Sequence, residues 1–230
     1  MNTTTGFQKF ALAGCHSLVH LPYELNSDSN DKTRLVGDPL DIAAFEFSEW
    51  QYNVTDESFS TSMDSATSME DFVQLWQIRS FPFDPTKRRS SALVLGRRVD
   101  GCFRLIFLVK GSPDSLIDLY ADRNDKNFIQ SYNNKLKDLG AQGCRTVAIG
   151  SFDLSKSNDL RDKLFPNGIS CEQATVDYAK SIGSTLRRSD FESIKTGGAL
   201  PFGIDFSGFA CFDAAVRPSS KRIIWELERG

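Results

Sequence analysis

A lysine that leaves one apolar run and an arginine that opens another are the residues of this sequence whose type and place could face an anion. Lys110 follows Phe103, Leu105, Ile106, Phe107, Leu108 and Val109 and precedes Gly111. A run of aromatic and branched residues this short is a central strand and not a membrane span. The lysine then sits where the strand leaves the core, and the missing side chain of Gly111 would let a ligand approach closely. Arg145 opens a second run, Arg145 to Phe152, just after a glycine, and a planar guanidinium there suits the two-pronged hydrogen bonding of a phosphate. Plainer readings stay open for both: a solvated strand-end lysine and a surface ion pair. His16 and His20 stand four apart on an expected helix, a spacing able to hold zinc, but no third ligand accompanies them. There is no G-x-x-x-x-G-K-[ST] loop to cradle phosphates with backbone N–H groups. No nucleophile-base pair or carboxylate dyad has a convincing setting.

Local signals supply the elements that must hold these groups. Asp100-Gly101 is a two-residue hairpin signal, because both central positions of the favoured turn need φ > 0, so Ser91 to Arg98 is the strand paired with the lysine's. Downstream, Ser112 can accept from the free N–H groups of the next helix, and Pro113 suits its first position; this helix runs Pro113 to Ala121. A longer helix, Asp125 to Leu139, carries Phe128, Ile129, Tyr132 and Leu136 on one side and stops at Gly140. Upstream, helical spacing of apolar residues predicts a helix from Gly6 to His20 capped by Thr5. Asp38, Pro39 and Asp41 begin another that ends near Trp50. Asn26 to Lys32 reads as a loop, and Gln51 to Glu70 as an exposed polar excursion. Phe72 to Phe83 alternates as a strand. Helices are expected at Glu172 to Ile182 and Ser189 to Lys195, a strand at Ile204 to Phe212, and a terminal helix opened by Arg217-Pro218-Ser219. The sum is an α+β fold, a mainly antiparallel sheet flanked by helices. The composition shifts at Thr196-Gly197-Gly198, and the strand and helix that follow look like the start of a second domain.

The composition narrows the function classes. A chain of 230 residues with 40% hydrophobic and 25% charged residues can bury a sizeable core as an ordinary globular protein. The net charge of −3 argues against a nucleic-acid partner, which needs a basic face. The opening MNTTTGFQKF lacks the apolar stretch of a signal peptide. Five scattered cysteines without a C-x-x-C predict reduced, mostly buried thiols.

Taken in order, six segments resemble one family. They are Cys15-His16-Ser17-Leu18, Gly37-Asp38-Pro39-Leu40-Asp41, Phe81-Pro82-Phe83 followed by Lys87-Arg88-Arg89, Lys110-Gly111-Ser112-Pro113-Asp114, Gly143 to Ile149, and Phe206-Ser207-Gly208-Phe209 leading to Arg217. Each is weak alone; together they resemble the P-type ATPases, and the first pair points to their type V branch. The resemblance implies the cytosolic nucleotide-binding domain over residues 1–205, with residues 206–230 as the first strand and helix of the returning phosphorylation domain. The family's D-K-T-G-T, T-G-D-N and G-D-G-x-N-D segments are absent, so this chain alone would not form the phosphoenzyme.

The resemblance also implies roles. Phe83 would stack on adenine, Lys110 and Gly111 would lie beside the adenosine, Arg145 and Arg88 would face phosphates, Asp41 would reach the adenine edge, and Arg217 would lie at the hinge to the phosphorylation domain. The cofactors implied are ATP and Mg²⁺, the latter held mostly by the phosphorylation domain. That domain and the actuator domain would be the partners, at the cytosolic face of an endoplasmic-reticulum or endolysosomal membrane that this chain itself does not touch. Several positions depart from the family pattern: Asp41 for Glu, Ser90 for Met, Ser112 and Asp114 for Ala and Glu, and Asp84-Pro85 for a small polar pair. These changes support a rival from another class, an interaction module that keeps the fold without useful ATP binding.

Overall fold

A computed structural model describes residues 6–22, 33–63, 68, 71–154, 162, 164–166, 168–169, 173–192, 203–213 and 225–227. In chain order the elements are α1 (Gly6–Gly14), β1 (Val19–Pro22), β2 (Thr33–Val36), α2 (Pro39–Ser48), β3 (Gln51–Asn53), β4 (Ser58–Ser60), β5 (Phe72–Asp84), β6 (Arg89–Arg98), β7 (Phe103–Gly111), α3 (Pro113–Leu116), α4 (Lys126–Ala141), β8 (Arg145–Asp153), α5 (Gln173–Gly183), α6 (Ser189–Glu192) and β9 (Asp205–Phe212). Strands β3 to β9 form one antiparallel sheet in chain order, and β1 and β2 pair separately. The α+β fold with a helix-flanked antiparallel sheet is the expected one.

Strand alternation builds two cores, one on each side of the sheet. On β7, Leu105, Phe107 and Val109 join the core that includes Tyr120, Tyr132, Val176 and Phe191. Ile106 and Leu108 point the other way, into the core made with α1 and α2. On β6, Leu93 and Leu95 share the first core, Ala92 and Val94 the second. Both central strands are therefore buried on both faces, which is why they read as continuous apolar runs.

Several expectations need correction. The first helix ends at Gly14 and not at His20. Gly14 is pressed into the sheet, where a Cβ would come within 2.9 Å of Leu108, and its carbonyl accepts from the Gln77 side chain, so the helical ladder stops. Residues 51–60, expected as an excursion, supply the first two strands; they are too short to show a period, yet Phe59 is buried. The hairpin after β6 has a three-residue loop, with Gly101 alone at positive φ (83°), Gly101 N–H donating to Arg98 C=O, and Asp100 accepting from Cys102 N–H. The long helix α4 runs past Gly140; Gly143, at φ 75°, makes the left-handed turn instead. The helix after Ser112 is α-helical only to Leu116, and the Ser112 side chain makes no capping bond. Of the four described cysteines only Cys15 is buried, because Cys102 lies in a hairpin loop and Cys211 on an edge strand.

The strand expected to open a second unit belongs to the sheet: β9 pairs with β8 from Arg145↔Phe212 to Ser151↔Asp205. Residues 26–32, Thr5, Cys171, Arg217 and the start of the terminal helix lie outside the described residues.

Candidate functional site

Alternation decides where Lys110 points. It follows Ile106 and Leu108 on β7, so it faces α1 and α2, with Ser90 of β6 and Ile149 of β8 as its cross-strand neighbours. Helix α2 is started by Asp38, whose side chain accepts from Leu40 N–H (2.8 Å), with Pro39 in the first turn. One turn of helix brings Asp41 over the end of the sheet. Its Oδ1 accepts from Lys110 Nζ at 2.5 Å and its Oδ2 from Ser17 N–H at 3.2 Å. The two side chains are only 10% and 16% exposed. For such a pair the attraction roughly offsets the loss of hydration, whereas leaving one charge without the other is costly.

The reactive groups beneath this pair are inert at neutral pH. Burial pushes the Cys15 thiol up to about 11, Lys110 opposing and Asp41 reinforcing the effect. The thiol stays protonated and is not a nucleophile. Burial also depresses His16 to about 3, helped by the Lys110 charge and by His20. His16 and His20 are not on a helix: the first lies in the turn after α1 and the second in β1, with ring centroids 6.5 Å apart among Phe45, Phe59 and Tyr52. Among the described residues no group of three or more His, Cys, Asp or Glu side chains could hold a metal.

Above Lys110 the surface opens into a cavity of about 420 Å³, within the range of small-molecule sites. Phe83, Lys110, Gly111, Arg145, Asp41 and Arg88 all line it. Five separated stretches of chain are thus brought to one place. Phe83 stands 60% exposed at the mouth, a large apolar ring with nothing described covering it. Arg145 shares its side of β8 with Val147, and their partners on β9, Phe212 and Ala210, complete an apolar wall. That wall was missed because β9 was assigned to another unit; the alternation of Gly208, Ala210 and Phe212 was its signal, while a register shift turns Phe206 towards the other core.

Two of these residues also have partners within the fold. The space left by Gly111 is filled from within, since a Cβ there would lie 2.5 Å from the Arg88 carbonyl and 2.6 Å from Arg89 Cβ. Gly111 thus leaves room for the β5–β6 turn. Arg88 adopts a left-handed backbone (φ 50°), its carbonyl accepts from Ser112 N–H (3.0 Å), and its guanidinium lies at the surface 3.8 Å from Asp114. For Mg²⁺ the cleft offers little: the carboxylates lining it are Asp41, held by Lys110 and Ser17, and Asp38, engaged at its own helix start. A metal ion here would have to be carried by a ligand's own phosphates.

No known protein family's sequence profile matches the chain. Two curated proteins are similar to it. One is the probable cation-transporting ATPase catp-6 of Caenorhabditis elegans, 24% identical over 176 residues, which cover 70% of this chain and 12% of that protein. The other is the probable manganese-transporting ATPase PDR2 of Arabidopsis thaliana, 25% identical over 217 residues, or 94% of this chain and 14% of that protein. The likeness supports the P-type ATPase superfamily. The chain spans about an eighth of the length of these ATPases, and among its described residues no helix is long and apolar enough to cross a membrane.

Proposed function

We propose that this chain is the cytosolic nucleotide-binding domain of a type V P-type ATPase and that the cleft above Lys110 takes ATP. The observation that carries the reading is the convergence of an exposed aromatic ring, two rim arginines and one floor cation on a single cavity. Phe83 stacks on the base, which is worth about 1–3 kcal/mol. Arg145 and Arg88 face the phosphates, and Lys110 with Asp41 forms the polar floor beneath the adenosine. In a longer parent protein, at an endoplasmic-reticulum or endolysosomal membrane, the domain would bring the γ-phosphate of MgATP to the aspartate of a separate phosphorylation domain, with the actuator domain as a further partner. Without a phosphate-cradling loop the affinity is on the order of millimolar, about −4 kcal/mol, as befits a domain that delivers ATP and does not retain it.

One observation favours the rival reading, an interaction module that has lost useful ATP binding: the buried cation of the cleft is already neutralised by Asp41. A calorimetric or NMR titration decides between them. Weak saturable ATP binding, reduced roughly five-fold or more by Phe83→Ala and less by Arg145→Ala, is expected, both residues being exposed enough to change without unfolding. A folded chain that shows no saturation at about 10 mM ATP sinks the nucleotide reading.

A further inference from the structure

We infer that Gln77 and Ser80 of β5 are positioning residues for the cleft: they clamp the Cys15–Leu18 turn, which fixes Asp41 and, through it, the Lys110 ammonium.

The argument begins with an irregularity of the sheet. Residues three apart on a regular strand face opposite sides, yet Gln77 pairs with Val94 and Ser80 with Ala92, both on the α1 side. A register shift between Gln77 and Arg79 inserts Ile78 as an extra residue and turns it into the other core. This bulge puts both polar side chains under the turn that follows α1. Gln77 Nε2 donates to Gly14 C=O (3.0 Å) and His16 C=O (2.8 Å). Ser80 Oγ donates to the same His16 carbonyl (2.9 Å) and lies 3.2 Å from Ser17 Oγ.

The next residue along, Ser17, gives its backbone N–H to Asp41 Oδ2. That bond leaves Oδ1 for Lys110. The relay therefore runs from β5 through a held turn to a helix carboxylate and back to β7, and no member of it except Ser17, Asp41 and Lys110 lines the cavity. Without the clamp the turn loses three of the hydrogen bonds that orient its carbonyls, the Ser17 N–H swings free, and Asp41 can rotate off the lysine. What this does for a ligand rests on the nucleotide reading, because only a ligand that meets Lys110 would feel the change.

The test uses Gln77→Met, which keeps the length and removes the donors, with Ser80→Ala as the milder second variant and Asp41→Asn as the reference for a released lysine. The first readout needs no ligand: the NMR signal of the Lys110 side-chain ammonium in the free protein. Gln77→Met is expected to move it in the direction that Asp41→Asn does, with Ser80→Ala moving it less, while amide signals of β6 and β7 stay in place. The second readout is ATP affinity in a double-mutant cycle, where Gln77→Met weakens binding about three- to ten-fold alone and adds nothing on the Asp41→Asn background. A Lys110 signal unmoved in both clamp variants overturns the inference, as do losses that simply multiply. If the unaltered chain binds no ATP while the Lys110 signal shifts as expected, the nucleotide reading falls and the positioning role stands.

Discussion

The two faces of the sheet are made from the same strands and yet differ in kind. One is closed and almost wholly apolar, with Phe107 at 0% exposure stacked 4.9 Å from Phe191. The other carries Cys15, His16, Ser90 and Lys110 among its buried groups, and a cavity opens at its end. Burying polar groups is costly unless each has a partner, so a fold that needed only stability would have two faces of the first kind. On the second face the partners are specific: a carboxylate for Lys110, a backbone N–H for the His16 ring, side-chain donors for the turn carbonyls. The difference separates what holds the protein together from what equips it to meet a ligand.

The largest effect should fall on the apolar face. Phe107→Ala is expected to cost about 3–5 kcal/mol of stability, through lost burial and an unfilled cavity. Chemical denaturation reads the loss, and ATP titration of the folded fraction should show no change in affinity. A weakened affinity in folded protein would mean that the two faces are mechanically coupled through β7, and the separation drawn between them would fail.

Acid should strike the other face. His16 in the folded chain titrates near 3, below its ordinary 6.5, because of burial and then the Lys110 and His20 charges; burial shifts His20 in the same direction. The native state thus binds fewer protons than the unfolded chain. The contribution is complete above pH 6.5 and is lost as pH falls from there towards 3. The slope is about 1.4 kcal/mol per pH unit per histidine, so acidification to about pH 5 costs roughly 2 kcal/mol from His16 alone. Urea midpoints at about pH 7 and 5 check this against His16→Gln, which should flatten the dependence; an equally steep fall in that variant would assign the effect elsewhere.

How much of this was legible follows the same division. The central strands and the Asp38 cap could be read from the sequence because burial, period and capping residues are local signals, and that cap forms. Lys110 could be placed at a strand end for the same reason. Its partner could not, since Asp41 lies 69 residues away and nothing local couples them. The bulge at Ile78 was equally hidden, because period counting puts Gln77 and Ser80 on opposite faces and only the register shows them together. Three-residue strands such as β3 and β4 are too short to alternate, and β9 was read as another unit because a shift in composition at Thr196-Gly197-Gly198 was weighed above its pattern. Phe83, Asp41 and Arg88 were brought to the cavity by resemblance, Lys110, Gly111 and Arg145 also by their strand ends, and what both omitted was the wall that β9 supplies.

The smallest effect sharpens the comparison at the rim. Arg88 holds a left-handed backbone, which costs a residue with a Cβ about 1–2 kcal/mol and a glycine almost nothing. Its ion pair with Asp114, 3.8 Å apart with side chains 55% and 74% exposed, contributes little in return. Arg88→Gly should therefore stabilise the fold by about 0.5–1 kcal/mol after the added freedom of the unfolded chain is counted, while Arg88→Ala leaves stability nearly unchanged. Both variants remove the same rim cation, so both should weaken ATP binding equally. Opposite movements of stability and affinity in Arg88→Gly would mean that this position tolerates strain for the sake of its charge, as expected of a binding rim and not of a packing surface. A destabilised glycine variant would place the value of Arg88 in holding the β5–β6 turn against Gly111, and the rim would then belong, energetically, with the closed face.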